Sequence, residues 1–460
     1  MKQIHQPIIF APPFVALCFL LFGGIAQAAP FSKDLAYKEA KTHPSCVLGF
    51  TTSSAFKPCR VLVQFADYIA PSNGVDIIHR RGGKIFHSFK KIRGAAVFVP
   101  NYNAWVALRS DAAIKRIIPD REVHVIAKPA NPGNKNKGAT GEQLPKGVER
   151  IGANNSLYKG SGVGIAILDT GVDINNADLS IASDCYTSFA DNCNDIHGHG
   201  THVSGISAAI EGNNIGVIGV APEAQIHAAK VLDDTGSGSD ASIIAGLEWV
   251  LDQKNSGAAI HVANMSLGRP GSIGDNPLLH QAIINLTDAG VSVVVAAGNS
   301  STAVVSGQIP AAYPEVIAVA STTAETGNNR CNRLNNAIAA DTASYFTTDG
   351  TGVLISAPGA AREDVNRGCR ISSIGILSLQ PGGGTARMSG TSMAAPHVAG
   401  VVAQLIDRNG TTDTVTIKSQ LTSGAELVGS APYNSPTSGY SFDGIREGIL
   451  SSCGSVGVGC

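Results

Sequence analysis

The chain has almost no net charge to offer a partner: 34 lysines and arginines stand against 35 aspartates and glutamates, and only 15% of its 460 residues are charged. That absence excludes affinity by bulk charge, and with it the electrostatic footprint of nucleic-acid binders and of proteins held at anionic membranes. A membrane-crossing run is missing too. The apolar core at residues 14–25 is shorter than the ~20 residues needed to span a bilayer, and no other segment is long enough. There is no Cys-x-x-Cys pair to suggest zinc or redox chemistry and no His-Glu-x-x-His metalloprotease helix. What is abundant is glycine, 52 residues, which with so few charges suits a large, tightly packed core with many turns.

Lys2 and His5 precede the apolar stretch 14–25, and Ala26-Gln27-Ala28 offers small residues for cleavage, so residues 1–28 read as a secretory signal. Export, to the outside of the cell or to the periplasm, is the expected location. Of nine cysteines Cys18 leaves with that signal, and an even count of eight in an exported chain favours disulfides. Short loops favour Cys46–Cys59, Cys185–Cys193 and Cys453–Cys460, with Cys331–Cys369 left over, although spacing alone does not fix connectivity.

Three stretches carry chemistry. Gly390-Thr391-Ser392-Met393-Ala394-Ala395-Pro396 sets a serine at the start of a helix behind a glycine-led turn, where free N–H groups and the helix dipole can meet an oxyanion. Alone, such a serine is far more often a cap. The apolar run 163–168 reads as a buried strand that delivers Asp169 at its C-terminal edge before Thr170-Gly171, and such edges collect catalytic groups in α/β sheets. Between them, His199 stands between Gly198 and Gly200 where a helix begins, positioned to take a proton from Ser392 while Asp169 holds its other nitrogen. Two other readings compete. A second Asp-Thr-Gly at Asp234 suggests paired carboxylates, but the two copies are too close in sequence for the lobes of an aspartic protease. His197, His199 and His202 together suggest zinc, but the triad needs only His199 and leaves His202 and His397 as packed structural histidines.

On the three blocks Ile167-Leu168-Asp169-Thr170-Gly171, His199-Gly200-Thr201-His202-Val203 and Gly390 to Pro396, the chain resembles the subtilisin-like serine proteases. The resemblance implies a mostly parallel, three-layer α/β/α sandwich over residues 142–460 and a secreted endopeptidase made as a zymogen. It implies Asp169, His199 and Ser392 as the triad and Asn299, with the backbone N–H of Ser392, as the oxyanion hole. Gly236-Ser237-Gly238 and Ser266-Leu267-Gly268 would be the edges that pair with an extended substrate. The side-chain pocket before the scissile bond would be walled by Ser266-Leu267-Gly268 and Ala296-Ala297-Gly298 with Gln308 near its base. No carboxylate stands there, which favours uncharged, apolar residues over arginine or lysine.

Residues 29–127, with a core of about 60–127 ordered strand, helix, two strands, helix, strand, resemble the small ferredoxin-like inhibitory prodomain of that family. The sequence pattern predicts the second helix over 104–114 and the last strand over 121–127. The Pro-, Gly-, Asn- and Lys-rich stretch 128–141 reads as a linker containing the processing site. A structural Ca²⁺ is implied on Glu142, Asp178 and Asn213 with carbonyls of Glu211, Ile215 and Val217. The implied partners are polypeptide substrates and the chain's own prodomain, in a monomer. A catalytically silent fold kept for binding is the alternative.

Overall fold

The computed structural model describes Cys46 and residues 52–126, 128–129, 141–189, 192–436 and 443–457. The expected signal, most of the linker and Cys460 lie outside the described residues. Seven strands form one parallel sheet in the order β16-β15-β13-β11-β7-β9-β8. They are β7 (Gly164–Asp169), β8 (Ile181–Thr187), β9 (Gln225–Lys230), β11 (Ile260–Met265), β13 (Ser292–Ala296), β15 (Ile317–Thr323) and β16 (Val353–Ala360). Such a sheet needs apolar residues on both faces, and β7 supplies them: Ile165 and Ile167 enter one hydrophobic cluster, Ala166 and Leu168 the other. The first cluster is closed by the helices His199–Ala208 and Thr391–Asn409, the second by Asp240–Asn255 and Pro277–Asp288. The result is a three-layer α/β/α sandwich.

Local signals start these helices. Ser239 and Ser242 form a reciprocal capping box ahead of Asp240–Asn255, and Asn276 caps Pro277–Asp288, whose proline occupies the first turn. The apolar runs 228–232, 261–265, 291–296 and 316–320 read as strands in the sequence, and each lies on a strand whose ends are shifted.

The N-terminal module is a four-stranded antiparallel sheet, β2-β3-β1-β4, built from β1 (Cys59–Phe65), β2 (Lys84–Phe89), β3 (Gly94–Val99) and β4 (Ile114–Pro119), with helices Pro71–Arg80 and Tyr102–Arg109. Two expectations need correction. The second helix stops at Arg109 and not at 114, because Asp111 Oδ1 accepts from Ala113 N at 2.9 Å and turns the chain into β4. The fourth strand is therefore Ile114–Pro119, and residues 121–126 leave the module altogether. One face of the sheet, with Leu62, Phe86, Phe89, Phe98 and Ile118, shares a core with Leu247, Val250, Leu278 and Ile283 of the large domain. Glu248 closes that contact by accepting from the backbone N–H groups of Lys90, Lys91 and Ile92 at 2.9, 2.7 and 3.2 Å.

The segment leaving the module becomes β5 (Glu122–Val125) and β6 (Lys128–Pro129). β5 is the inner strand of a small antiparallel sheet with β10 (Ser237–Ser239), β12 (Leu267–Pro270) and β14 (Gln308–Ile309), in the order β10-β5-β12-β14. The hairpin β17 (Arg362–Val365) and β18 (Ile371–Ile374) leads to β19 (Ile376–Leu379) and β20 (Thr385–Ser389), and β20 pairs with β6. Disulfides join Cys46–Cys59, Cys185–Cys193 and Cys331–Cys369. Cys453 is also disulfide-bonded, and the partner expected for it, Cys460, is outside the described residues.

Candidate active site

Asp169 ends β7, and Thr170-Gly171 turns the chain away with Gly171 at φ +102°. His199 opens its helix behind Gly198 at φ +95°. Helix and strand end approach so closely that a Cβ on Gly200 would lie 2.0 Å from the carbonyl oxygen of Gly171, which is why glycine is needed there. Asp195 ties the two segments together, accepting from Thr170 Oγ1 and Gly198 N on one oxygen and from Thr201 on the other. The approach puts His199 Nδ1 2.7 Å from Asp169 Oδ1, with both side chains fully buried. A carboxylate there holds the hydrogen on Nδ1 and leaves Nε2 as the acceptor, and Nε2 has no hydrogen-bond partner among the described residues.

Ser392 is the second residue of the helix Thr391–Asn409, behind Gly390. Its Oγ donates to the carbonyl oxygen of Ile126 and lies 3.0 Å from that of Ser266. No hydrogen bond joins it to His199: the hydroxyl faces Ile126. Asn299 Nδ2 donates to the same Ile126 oxygen at 2.9 Å. The amide cannot present its oxygen instead, because Thr391 N and Oγ1 hold Asn299 Oδ1 at 2.9 and 3.1 Å. A carbonyl of the chain itself thus occupies the position between serine and asparagine where an oxyanion would form.

The residues before that carbonyl run as an extended strand. On one side Ser237, Gly238 and Ser239 of β10 lie opposite His124, Val123 and Glu122, and on the other Leu267 and Gly268 of β12 lie opposite Val125 and His124. Val125 N donates to Gly236 O at 3.0 Å and Ile126 N to Ser266 O at 3.3 Å. A Cβ on Gly268 would come within 2.8 Å of Ile126 Cδ1, so the absent side chain makes room for Ile126. Ala297 N donates to Val319 O, and Gly298, at φ +123°, packs beside Gln308 and Thr348. Beyond Ile126, β20 takes over, with Ser389 opposite Lys128 and Met388 opposite Pro129. The chain meets the serine at Ile126, ahead of the stretch 128–141 in which the sequence locates the processing site.

The competing readings separate in space. Asp234 Oδ1 binds Lys230 Nζ at 2.7 Å while Asp169 binds His199, so the two carboxylates of the repeated Asp-Thr-Gly form no pair. His202 Nε2 faces the carbonyls of Ile376 and Ala386 at 3.1 and 3.2 Å, and burial holds its pKa down at about 3. His397 donates Nδ1 to Met393 O at 2.7 Å, and burial lowers it to about 4. Both rings are therefore neutral packed groups, and His197 stands edge-on to His199 at 6.3 Å between centroids.

Glu142, Asp178 and Asn213 meet around the loop 211–217. Glu142 Oε1 accepts from Gly212 N and Asn213 N, and Asp178 accepts from Asn213 Nδ2 at 2.6 Å and Val217 N at 3.0 Å. Burial pushes the Asp178 carboxyl up to about 6 against those hydrogen bonds, and the nearby Glu142 charge adds to the rise. Two facing carboxylates and the amide of Asn213 around one loop are a donor set suited to a hard dication. Asn213 Nδ2 now faces Asp178, so its amide oxygen joins the set only with the amide turned.

Sequence reasoning did not single out Ile126, Thr391 or the β20 edge. Thr391 could have been found from its place beside the serine; Ile126 and Ser389 owe their positions to pairing that no local pattern encodes.

A family model described as the Subtilase family matches residues 160–443. An alkaline protease of Alkalihalobacillus alcalophilus is 33% identical over 407 residues, 87% of this chain and 91% of that protein. Subtilisin Savinase of Lederbergia lenta is 38% identical over 293 residues, 63% of this chain and 94% of its own. The crystal structure of fervidolysin from Fervidobacterium pennivorans, described as a keratinolytic enzyme related to subtilisin, matches with a TM-score of 0.64 and 23% identity over 90% of this chain. This chain spans 63% of fervidolysin, and at that identity the likeness bears on fold alone.

Proposed function

Since the chain belongs to the subtilase family and is a serine endopeptidase of it, we propose that it is made as an exported zymogen whose site first hydrolyses the chain's own Ile126–Ala127 bond. His199 Nε2 takes the Ser392 hydroxyl proton as Oγ bonds to the Ile126 carbonyl carbon, and Asp169 stabilises the imidazolium through Nδ1. Negative charge gathering on the carbonyl oxygen is met by Asn299 Nδ2 and by the backbone N–H of Ser392. As the C–N bond breaks, the imidazolium gives its proton to the leaving Ala127 amine. Water, deprotonated by His199, then hydrolyses the acyl-serine and frees the Ile126 carboxylate. The observation that carries this reading is the Ile126 carbonyl, shared by Asn299 and Ser392 at the end of a strand held on both edges. N-terminal sequencing of the processed protein is expected to start at Ala127, and Ser392→Ala to stay full length. A different start with the strand still bound would overturn the assignment of the bond.

The same geometry supports apolar selectivity in other proteins. Ile126 fits against a glycine, and Val123, three residues earlier, is 2% exposed. Ile126→Asp in the precursor is expected to slow processing about 100-fold or more, by burying an unpaired charge in an apolar pocket. The time course of the precursor band on a gel checks it.

After cleavage the module remains an inhibitor with a pH-dependent grip. Asp120, just before β5, is fully buried; its Oδ1 accepts from Ala241 N at 2.9 Å at the start of Asp240–Asn255. Burial pushes its carboxyl up to about 6, against the pull of Arg60, while Asp240 raises it further. The docked state therefore takes up a proton more readily than the free one. Affinity is highest at and below pH ~4 and falls as pH rises to about 6, by up to ~100-fold in Kd. Binding of the separate module to the Ser392→Ala large domain, titrated over pH 4–7, measures this. Asp120→Asn should flatten the profile.

For calcium, Glu142, Asp178 and Asn213 with carbonyls of the 211–217 loop would hold the ion, which would neutralise the facing carboxylates. Calcium at one hundred times its Kd is expected to stabilise the fold by about 2.7 kcal/mol. Chelation should lower Tm correspondingly, and Asp178→Asn should make Tm insensitive to chelator. The disulfides and the apolar N-terminal stretch support export.

A further inference from the structure

Four arginines, Arg330, Arg333, Arg367 and Arg370, are exposed on two neighbouring loops. Arg330, Arg333 and Arg367 line one cavity of about 350 Å³ together with Asn332, Gly368 and Cys369. No carboxylate is paired with any of the four among the described residues. Of the acids in the same lobe, Glu325 and Asp364 are held by Arg362 at 3.0 and 3.1 Å and Asp341 by Arg150 at 2.8 Å, while Glu363 is fully buried and accepts from Tyr345 N. In a chain whose formal charge is −1, this is a local concentration of uncompensated positive charge.

The cavity is held in shape by bonds that do not depend on the arginines. Cys331–Cys369 links the two loops. Arg330 N donates to Val365 O at 2.8 Å and Val365 N to Asn328 O at 2.7 Å, and Asn329 Nδ2 pins the first loop through Leu334 O at 2.7 Å. Cys331, Ile338 and Val365 form a small buried core beneath. Guanidinium groups fixed on such a frame can meet carboxylates without first ordering their backbone.

The lobe is continuous with the active site. β18 follows Arg370 directly, and Ser373 Oγ on β18 is 2.8 Å from Ser389 Oγ on β20. Ser389 lies opposite Lys128, the second residue beyond the Ile126–Ala127 bond. From Ser373 to Arg370 is three residues, ~10 Å of extended chain, so the arginine lobe is tied directly to the strand along which a polypeptide leaves the serine. The chain's own continuation does not suit them: residues 127–141 contain Lys128, Lys135 and Lys137 and no acid.

We propose that the cavity lined by Arg330, Arg333 and Arg367 is an exosite that binds acidic segments of other protein substrates, several residues on the C-terminal side of the bond being cut. The inference rests on the endopeptidase reading of Ser392 and adds a recognition element to it. Acidic substrates gain an anchor, and the basic linker of the zymogen gains none.

The test compares two fluorogenic peptides with one cleavable core, one carrying a glutamate-rich and the other a glutamine-rich C-terminal extension. The processed enzyme is expected to cleave the acidic peptide with a kcat/KM about tenfold higher at low ionic strength. That preference should collapse in 0.5 M salt, where charges more than a few ångströms apart are screened. Arg330→Ala/Arg333→Ala/Arg367→Ala should abolish it while the glutamine peptide is hydrolysed as before, which also reports that the fold is intact. Equal cleavage of the two peptides by the parent enzyme would overturn the exosite, as would a preference that survives the triple substitution. Retention on a sulfated polysaccharide without any preference between the peptides would also overturn it, assigning the arginines to a carbohydrate polyanion. Failure to cleave either peptide would count against the Ser392 reading instead.

Discussion

His199→Ala is expected to lower kcat on a neutral peptide by roughly 10⁶, the size of loss known for the equivalent histidine of subtilisin and not a value obtained from this structure. The expectation follows from what Nε2 alone can do. That atom has no hydrogen-bond partner among the described residues, and a serine hydroxyl without a base is a weak nucleophile. Asp169 cannot substitute, because it is fully buried and meets the site only through the imidazole that the substitution removes. The variant cannot process itself, so the measurement uses the large domain folded with the module supplied separately. Residual activity of ~10³–10⁴ over water should persist, since Asn299 and the Ser392 N–H remain. Adding Asn299→Ala should then take most of that residue away; alone it should cost ~10²–10³, again the figure known from subtilisin. A His199→Ala enzyme within tenfold of the parent would dismantle the proton-transfer scheme.

How far the sequence discloses this site depends on whether a signal is local. Asp169, His199 and Ser392 each sit at a junction whose chemistry is written within a few residues: an apolar strand ending in Asp-Thr-Gly, a histidine flanked by glycines, a glycine-led helix start. The parallel sheet is equally legible, because strands such as 292–296 are apolar on both faces. Other features are set by distant partners. Residues 121–127 read as a strand, and they are one in part, yet their partners are Ser237–Ser239 and Leu267–Pro270 and not the module that precedes them. Nothing in the local alternation distinguishes those edges from β1, which takes β4 instead. The local pattern carries the second module helix on to 114 because 110–114 has no glycine or proline, and a single Asp111 turn ends it at Arg109. Orientation of the serine hydroxyl is likewise outside local reach: it faces Ile126 because that carbonyl has been brought there by the groove.

The second large effect lies away from the reacting atoms. Arg269 Nε and Nη2 bind the two oxygens of Asp240 at 2.8 and 2.6 Å, with side chains 4% and 1% exposed. The pair joins β12, which forms one wall of the groove, to the first turn of the helix Asp240–Asn255, which Asp120 of the module also caps. Arg269→Met keeps much of the packing but leaves a buried carboxylate alone, and breaking such a pair from one side costs about 3–5 kcal/mol. Burial already raises the Asp240 pKa, and Arg269 is the main force opposing it. Without that guanidinium the carboxyl rises further, so the variant's folded state holds a proton to higher pH than its unfolded state does. The loss is therefore greatest at neutral and alkaline pH and shrinks as pH falls below the raised folded-state value. Urea unfolding of the Ser392→Ala precursor, which removes self-digestion, with and without Arg269→Met at pH 5 and pH 8, measures both the size and the sign. Arg269→Met combined with Asp240→Asn should recover a substantial part of the deficit, since the uncompensated charge is gone. Equal destabilisation at both pH values, unrelieved by Asp240→Asn, would mean that Arg269 acts through packing and not through its charge.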